Sequence, residues 1–530
     1  MRSKHSIIRL DVCSKSTNFE QKHFDDKRVN FKDYSNQSIS IRIYFFGVLN
    51  VTTTSQKVQI GSISDLKSRG LYIEIYNENI VIKNDWLASI PLFFNRKKLT
   101  ISTDFQFCVE SREIDEVGIT YFLKYGYSVF GRTPVQDVEF LEYCSEISIQ
   151  DDIILVKNIS DPVLDEMYRD NSNVSDSIKL ISDRLIEIAE HRDRVLIPLS
   201  GGFDSRLLTM LVQKKLGGSK IVNTSYGYSS KQFTSYEVKI AEEVSKRLKT
   251  KFKWIKLGNE NNQILDWLSL KGASTHLHGM YQLDFYKKIV NELDDSSINI
   301  SGIYGDLWAG KILTKIPHSI NQYEKLFLSH GLNYSKNIDL KSNDELDLLL
   351  ERFTRDKQFL GSNFFRAVTI ARHKMILLSY LIDAPQNVGL ETYSPFLDFE
   401  VVSSMLRLPS DQWENRKWQK KIFSDNNLMI KMPWSIESRS NMLYMHSYKN
   451  YDFPPLSYPH FNSEIKVRIL ELNRFFNRKS KPTYLSQYLI TWFKLKKIPL
   501  IGKYIKQPLR DAVYDYYHIA PIEWSLNKFL

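Results

Sequence analysis

Short runs in which apolar and polar residues alternate occupy the first 160 positions of this 530-residue chain. They include SISIRIYFFGVLNV, GLYIEIY, NIVIKND, LTISTDF, SEISIQ and DIILVKN, with polar breaks such as Asn77-Glu78-Asn79 between them. A period of two places the apolar side chains on one face of a strand. The pattern therefore predicts a mainly β first part.

The periodicity changes after Ser160-Asp161-Pro162, where SDSIKLISDRLIEIAEHRD has its apolar residues at helical spacing. Beyond the compact run VLIPLS, strand-like segments (KIVNTSYGY, KFKWIKL, SINISGIYGD) alternate with helix-like ones (RLLTMLVQKKL, YEVKIAEEVSKRLKT, DFYKKIVNELD). Such alternation predicts βαβ units around a parallel sheet. Residues 323–426 are mostly helical in pattern, and residues 461–530 have helical runs rich in basic and aromatic residues.

Composition indicates a folded chain, because 42% of the residues are hydrophobic and 13% are aromatic. No uninterrupted apolar run approaches the roughly 18 residues of a membrane span, and the N-terminus has no signal-peptide core, so we expect a cytoplasmic protein. Cys13, Cys108 and Cys144 are too few and scattered for a disulfide framework or a zinc site. The formal charge of +11 allows an anionic partner, although lysines dispersed over solvated faces are the preferred explanation.

The segment VLIPLSGGFDSRLLTML carries the clearest chemistry. A buried strand ends at Leu199, and a helix follows directly after Ser200-Gly201-Gly202-Phe203-Asp204-Ser205. Glycines permit a tight turn, and the N–H groups of the turn and of the helix start then face an anion such as phosphate. A carboxylate in such a loop repels phosphate unless a cation intervenes, so Asp204 implies Mg²⁺.

This loop resembles the SGGxDS pyrophosphate loop of the PP-loop ATP pyrophosphatases, and its neighbours narrow the resemblance to the asparagine synthetase family. The segment SGIYGDLWAG (residues 301–310) is similar to that family's second loop, SGxGxDxxxGG, and PFLD stands intact at residues 395–398. In the first part, DWLASIPLFF (85–94), YFLKYG (121–126) and Arg132-Thr133-Pro134 resemble segments of the amidotransferase-like domain.

The resemblance implies an α/β fold. Residues 1–160 would form a β-rich sandwich of the Ntn type that lacks its nucleophile, a degenerate glutamine amidotransferase-like domain. Residues 170–450 would form an ATP-binding synthetase domain of the adenine nucleotide α hydrolase type, with a parallel sheet. Residues 451–530 would be a helical, basic tail.

The resemblance also implies a ligase with ATP and Mg²⁺ as cofactors, which adenylates a carboxylate, releases pyrophosphate and then forms an amide. By similarity, Asp204 and Asp306 would bind Mg²⁺ and serve catalysis. The other nucleotide-binding residues carried over in this way are Leu199, Ser200, Gly201, Gly202, Ser205, Ser301 and Gly302. Glu237 falls where the family often has an acidic residue, and a solvated carboxylate at a helix start is an equal alternative. Asp398 of PFLD is better explained as a helix N-cap.

Several positions depart from the family pattern. Position 2 is Arg rather than the nucleophilic cysteine, so we expect no glutaminase activity. Ile303 stands where asparagine synthetases have a glutamate. The related β-lactam synthetase has a catalytic tyrosine at that position, so Tyr304, one residue further along, is a catalytic candidate. Asn441 replaces a lysine that stabilises the reaction. Arg439 and Lys431 are candidates to replace that lysine, and Lys417 and Lys421 are candidates for holding the phosphates.

The substrates stay open at this point. SGGFDSR and Met432-Pro433-Trp434 are more similar to asparagine synthetase-like proteins of bacterial surface-polysaccharide loci, which implies uronic acids of glycan precursors, with ammonia or an amine as the nitrogen donor. Lasso-peptide cyclases, an inactive nucleotide-binding scaffold and a PP-loop RNA-modifying enzyme are the alternatives, although we expect no nucleic-acid partner. The basic tail is a candidate for contact with a membrane surface or lipid-linked glycan. His276 and His278 share a strand-like face, but with no third ligand nearby they favour pocket lining or packing over metal binding.

Overall fold

A computed structural model of the chain describes residues 6–15, 29–35, 38–46, 49–54, 57–61, 66–76, 79–166, 171–229, 232–258, 260–290, 296–311, 315–328, 343–431, 453–457, 463–477 and 508–527, and residues 443, 448 and 461 singly. The predicted strand-rich first part is confirmed. Its strands are β1 (Ser6–Ser14), β2 (Val29–Ser35), β3 (Ile39–Phe46), β4 (Val51–Thr53), β5 (Lys57–Ile60), β6 (Leu71–Tyr76), β7 (Ile80–Asn84), β8 (Phe93–Asn95), β9 (Thr100–Ser102), β10 (Glu139–Phe140), β11 (Ser145–Gln150) and β12 (Ile153–Asn158).

These strands form two antiparallel sheets, ordered β10-β8-β9-β1-β3-β2 and β12-β11-β7-β6-β5-β4. Alternate residues are buried along β3 and β7, as the period of two predicts. Side chains from both sheets meet in one apolar layer, in which Ile41 and Ile43 of one sheet join Ile73 and Ile82 of the other. The β-rich sandwich is therefore present, while its assignment to the Ntn type stays a prediction.

The second part contains a five-stranded sheet in which every neighbouring pair is parallel. Its strands are β13 (Arg194–Pro198), β14 (Ile221–Ser225), β15 (Lys251–Trp254), β16 (Ser297–Ile300) and β17 (Thr392–Tyr393), in the order β15-β14-β13-β16-β17. The chain runs outward from β13 through β14 to β15 and returns to the other side of β13 at β16. In open parallel sheets, ligands bind where the strand order reverses in this way, beyond the carboxyl ends of the strands.

Helices alternate with these strands and continue after them, as predicted. They are α1 (Phe105–Cys108), α2 (Glu116–Tyr125), α3 (Pro162–Glu166), α4 (Val174–Ala189), α5 (Phe203–Leu216), α6 (Tyr236–Arg247), α7 (Ile264–Lys271), α8 (Tyr281–Val290), α9 (Gly305–Trp308), α10 (Ile320–Glu324), α11 (Asn343–Asp356), α12 (Asn363–Leu378), α13 (Tyr380–Asn387), α14 (Phe399–Leu406), α15 (Ser410–Trp413), α16 (Lys417–Asp425), α17 (Ser463–Asn477) and α18 (Pro508–Leu526). None of the described helices is long and apolar enough to cross a membrane.

Buried polar contacts join the first part to the second. The Trp86 indole N–H donates to the Leu397 carbonyl at 3.1 Å, which links DWLASIPLFF to PFLD. The Arg372 guanidinium of α12 donates to both carboxylate oxygens of Asp161 at 2.7 Å and to the Trp86 carbonyl at 2.9 Å. The two parts therefore share a continuous interior, and the proposed boundary at 160–170 stays a prediction.

The predicted tail is described only in part, because residues 478–507 lie outside the described residues. Within α18, Ser525 accepts a hydrogen bond from the Gln106 side chain of α1 at 2.7 Å. His518 of the same helix lies 5.3 Å from His276, ring centre to ring centre, and His276 lies 5.9 Å from His278. Burial lowers the pKa of all three imidazoles. The two histidines of the THLHGMY segment thus pack in the interior against the tail.

Substituting Arg372→Met tests the buried ion pair between the two parts. The change leaves the Asp161 carboxylate without its cation, so we expect a loss of about 3–5 kcal/mol in the free energy of unfolding, measured in urea. Arg247→Met is the control, because the Arg247 side chain pairs with Glu243 at a partly exposed i,i+4 site and should cost less than about 1 kcal/mol. Equal losses for both variants would contradict the assigned role of Arg372.

Candidate functional site

The first loop of the site joins the carboxyl end of β13 to the start of α5. Gly201 has a φ of +74°, and a Cβ there would lie 3.1 Å from the Glu237 carbonyl oxygen. The Ser200 hydroxyl accepts from the Gly202 amide at 3.4 Å, and the Ser205 hydroxyl from the Ser200 amide at 3.3 Å. Gly202 caps α5 without a side chain, so the first N–H groups of the helix face outward and suit an anion.

The second loop joins the carboxyl end of β16 to α9. Ser301 continues the sheet edge, since its amide donates to the Tyr393 carbonyl at 2.8 Å. Its hydroxyl accepts from the Ile303 amide at 3.4 Å. Tyr304 then takes a φ of +60°, a left-handed conformation that side chains rarely adopt, and the chain turns into α9 with Asp306 in the first helical turn. The turn directs the start of α9 back toward the first loop.

The two loops touch each other. A Cβ on Gly302 would lie 3.4 Å from the Ser205 amide nitrogen, and a Cβ on Gly305 would lie only 2.6 Å from the Asp204 Cβ. A side chain at position 305 would therefore collide with Asp204. This close approach brings two motifs that the sequence predicted, about a hundred residues apart in the chain, into direct contact.

Both loops line one cavity of about 290 Å³ at the carboxyl edge of β13, β14 and β16. Its lining brings together most of the residues that the sequence predicted for nucleotide binding. These are Leu199, Ser200, Asp204, Ser205, Ser301, Gly302, Tyr304 and Asp306, and Glu237 joins them. Gly201 and Gly202 belong to the loop itself but do not line the cavity. The cavity lies where the strand order reverses, which is the usual place for a ligand in an open parallel sheet.

The two aspartates interact electrostatically. Burial first, and then the neighbouring Asp306 carboxylate, raise the pKa of Asp204 to about 7. Arg416 and Lys311 counter this by favouring the charged form, and the Gln419 amide donates to Asp204 at 3.4 Å. The Lys311 ammonium lies 2.7 Å from the Asp306 carboxylate. A divalent cation bound between the two carboxylates would favour the charged form of Asp204 in the same way.

The donor set fits Mg²⁺ bound together with a nucleotide. Mg²⁺ in such sites commonly takes one or two carboxylates and completes its shell with phosphate oxygens and water. Among the described residues, no group of three or more His, Cys, Asp or Glu side chains is placed to hold a metal ion. The Asp204–Asp306 pair could supply the two carboxylates for such an ion, and the Lys311 ammonium already lies against Asp306.

Tyr304 lines the cavity, but its hydroxyl is engaged elsewhere. The hydroxyl donates to the Ala371 carbonyl of α12 at 2.9 Å, and burial raises the pKa of the phenol. The ring lies 5.6 Å from that of Trp308. In this arrangement Tyr304 anchors the second loop against α12, and its catalytic role stays a prediction.

The structure does not bring the candidate phosphate lysines to this cavity. Lys417 and Lys421 are exposed and line a second, larger cavity of about 840 Å³ between α4, α5 and α16. They are one turn apart on α16, while Gln419, on the opposite face of the helix, points at Asp204. Arg439 and Asn441 lie outside the described residues, so the structure does not place them.

Two other sequence expectations are settled by local contacts. Asp398 caps α14, because its carboxylate accepts from the Glu400 amide at 3.0 Å, as the N-cap interpretation predicted. Glu237 lines the cavity, and its carboxylate accepts from the Tyr228 amide at 2.8 Å. The Glu237 carboxylate therefore helps to order the loop after β14.

Several residues of the site were missed by the sequence analysis. Tyr226, Gln282 and Tyr286 line the cavity beside β14 and α8. Arg206, the residue after the SGGFDS segment, lies beneath the loop and donates to the Gly201 carbonyl at 2.8 Å. An arginine in the first turn of a helix that follows a glycine turn is a signal that the sequence offers, whereas the tyrosines offer none beyond their position after a strand.

Comparison with known proteins leaves the family open. No protein-family profile matches the chain, and no curated protein does. Among solved structures, the chain is similar to an NH3-dependent NAD synthetase from Campylobacter jejuni, with 16% identity over 39% of this chain and 95% of that one, at a TM-score of 0.22. It is also similar to a glutamine-dependent NAD+ synthetase from Acinetobacter baumannii, with 14% identity over 46% of this chain and 56% of that one, at a TM-score of 0.20.

Substituting Gly305→Ala tests the contact between the two loops. The added methyl group would collide with Asp204, so we expect a lower melting temperature and at least a tenfold loss of Mg·ATP affinity, measured by differential scanning fluorimetry and calorimetric titration. Gly361→Ala is the matched control, because a Cβ there meets nothing within 4 Å. Unchanged nucleotide binding in the Gly305 variant would contradict this account of the site.

Proposed function

We propose that the protein is a Mg-ATP-dependent enzyme of the PP-loop type that adenylates a substrate carboxylate, releases pyrophosphate and then forms an amide bond. The observation that carries the proposal is the contact between Asp204 and Gly305, which unites an SGGFDS loop and an SGIYGD loop in one cavity. Two loops of these sequences, at the carboxyl edge of a parallel sheet, suit a nucleotide whose phosphates meet the first loop.

Each side of the cavity has its own task in this proposal. The amides of the first loop and the start of α5 bind the pyrophosphate portion, with the hydroxyls of Ser200 and Ser205. The backbone of Leu199, Ser301 and Gly302 borders the adenosine. Asp204 and Asp306 would hold Mg²⁺, which neutralises phosphate charge when bound. Because the donors are fixed by the fold before the ligand arrives, little reorganisation is needed when charge develops on the phosphates.

The second half-reaction draws its nitrogen from ammonia or an amine rather than from glutamine hydrolysed by the first part. Cys13, Cys108 and Cys144 are all buried, and burial raises the pKa of each thiol. A nucleophilic cysteine needs a low pKa and an accessible sulfur, so none of the three suits that task. For the carboxylate, we propose a uronic acid of a glycan precursor, on the strength of the SGGFDSR and MPW segments.

A second candidate, an inactive nucleotide-binding scaffold, is favoured by one specific observation. Ile303 is buried where asparagine synthetases have a glutamate, and the Tyr304 hydroxyl beside it is bound to a backbone carbonyl. The cavity therefore has no obvious acid or base at that point of its wall. Nucleotide binding without turnover is the behaviour that this candidate predicts.

The test is pyrophosphate release from ATP, measured with a panel of uronic-acid sugar nucleotides and of peptides bearing carboxylates. We expect release with a uronic acid and a loss of at least 100-fold in Asp204→Asn, because one of the two carboxylates that would hold the charge-neutralising Mg²⁺ is removed. Asp411→Asn is the matched control, since Asp411 lines the second cavity and should leave the rate unchanged.

Three results would change the proposal. Turnover with peptides alone would favour a macrolactam cyclase. Tight Mg·ATP binding with no pyrophosphate released from any acid would favour the scaffold. Full activity in Asp204→Asn would overturn the assignment of the site itself.

A further inference from the structure

Arg416 has a backbone conformation that side chains seldom adopt. Its φ is +57°, and Asn415 before it has a φ of +54°, so two consecutive non-glycine residues are left-handed at the start of α16. Asparagine tolerates this region, but an arginine gains nothing there by itself. Strained residues of this kind persist where the surrounding structure requires the side chain in a particular place.

The strained turn places the Arg416 side chain against the first loop of the site. Its guanidinium carbon lies 4.4 Å from the ring centre of Phe203, the variable residue of SGGFDS. The guanidinium therefore stands beside the loop that we assign to pyrophosphate.

Arg416 forms no ion pair with a carboxylate within the described part of the chain. Lys311, the other cation near Asp204, differs in this respect because its ammonium is paired with Asp306 at 2.7 Å. Arg206, beneath the loop, is committed to the carbonyls of Gly201 and Leu428 at 2.8 and 2.7 Å. Of these three cations, Arg416 is the one whose guanidinium forms neither an ion pair nor a hydrogen bond within the described residues, whereas Arg206 has only its buried Nε without a partner.

We propose that Arg416 binds the pyrophosphate portion of the nucleotide, held for this purpose by the left-handed turn and by the face of Phe203. The inference rests on the proposed function and deepens it. It also reassigns the task for which Lys417 was a candidate, because Lys417 follows Arg416 directly yet lines the other cavity. A guanidinium suits the task, since its planar donors match two phosphate oxygens at once.

The test is calorimetric titration of the full chain with inorganic pyrophosphate in the presence of Mg²⁺, together with the melting temperature. In Arg416→Gly we expect pyrophosphate affinity to fall by about 10- to 100-fold, because a charge-assisted contact is lost. The melting temperature should hold or rise by about 1–2 °C, because glycine relieves the left-handed strain. Arg416→Asn introduces a residue that tolerates the left-handed conformation, and it should lower pyrophosphate affinity by a similar factor.

Lys417→Gln is the matched control, since it removes one positive charge from the adjacent residue and should leave pyrophosphate affinity within about twofold of the wild type. If Arg416→Gly and Arg416→Asn bind pyrophosphate as tightly as the wild type, the assignment of Arg416 is wrong while the proposed function stands. A wild-type protein that binds neither pyrophosphate nor ATP would overturn the proposed function itself. A large fall in melting temperature in both Arg416 variants with unchanged affinity would show a purely structural role.

Discussion

The absence of a side chain at position 305 is the constraint on which the site depends. Asp204 fills the space that a Cβ would need, so the two loops approach to van der Waals contact. That approach is possible because β13 and β16 are neighbours in the sheet although they are about a hundred residues apart in sequence. The fold thus creates a pair of carboxylates that neither loop holds alone.

The positive charge near these two carboxylates comes from several parts of the chain. Asp204 is buried and gains from any positive neighbour, and three cationic side chains reach the region from three different elements: the first turn of α5, the end of the second loop and the start of α16. Arg206 donates to backbone carbonyls, Lys311 pairs with a carboxylate, and both Arg206 and Arg416 lie over the Phe203 ring.

The sequence predicted what depends on local pattern. Strand periodicity, the βαβ alternation and the turn at Gly201-Gly202 are written in neighbouring residues, and the structure confirms them. The direction of side chains could not be predicted in this way. Lys417 lines the second cavity while Arg416 contacts the first loop, because a helix turns by about 100° per residue and adjacent side chains face different ways. The Gln419 contact and the left-handed turn before α16 depend on tertiary packing, which no local pattern encodes.

The Arg372 contacts make the second part depend on the first. One guanidinium from α12 is bound by a carboxylate and by a carbonyl that precede the parallel sheet. If the amino-terminal sandwich were deleted, the buried Arg372 guanidinium would lose its partners. The PFLD turn would also lose the Trp86 indole, which donates to the Leu397 carbonyl. Removing the sandwich would therefore destabilise the second part, whatever else the sandwich does.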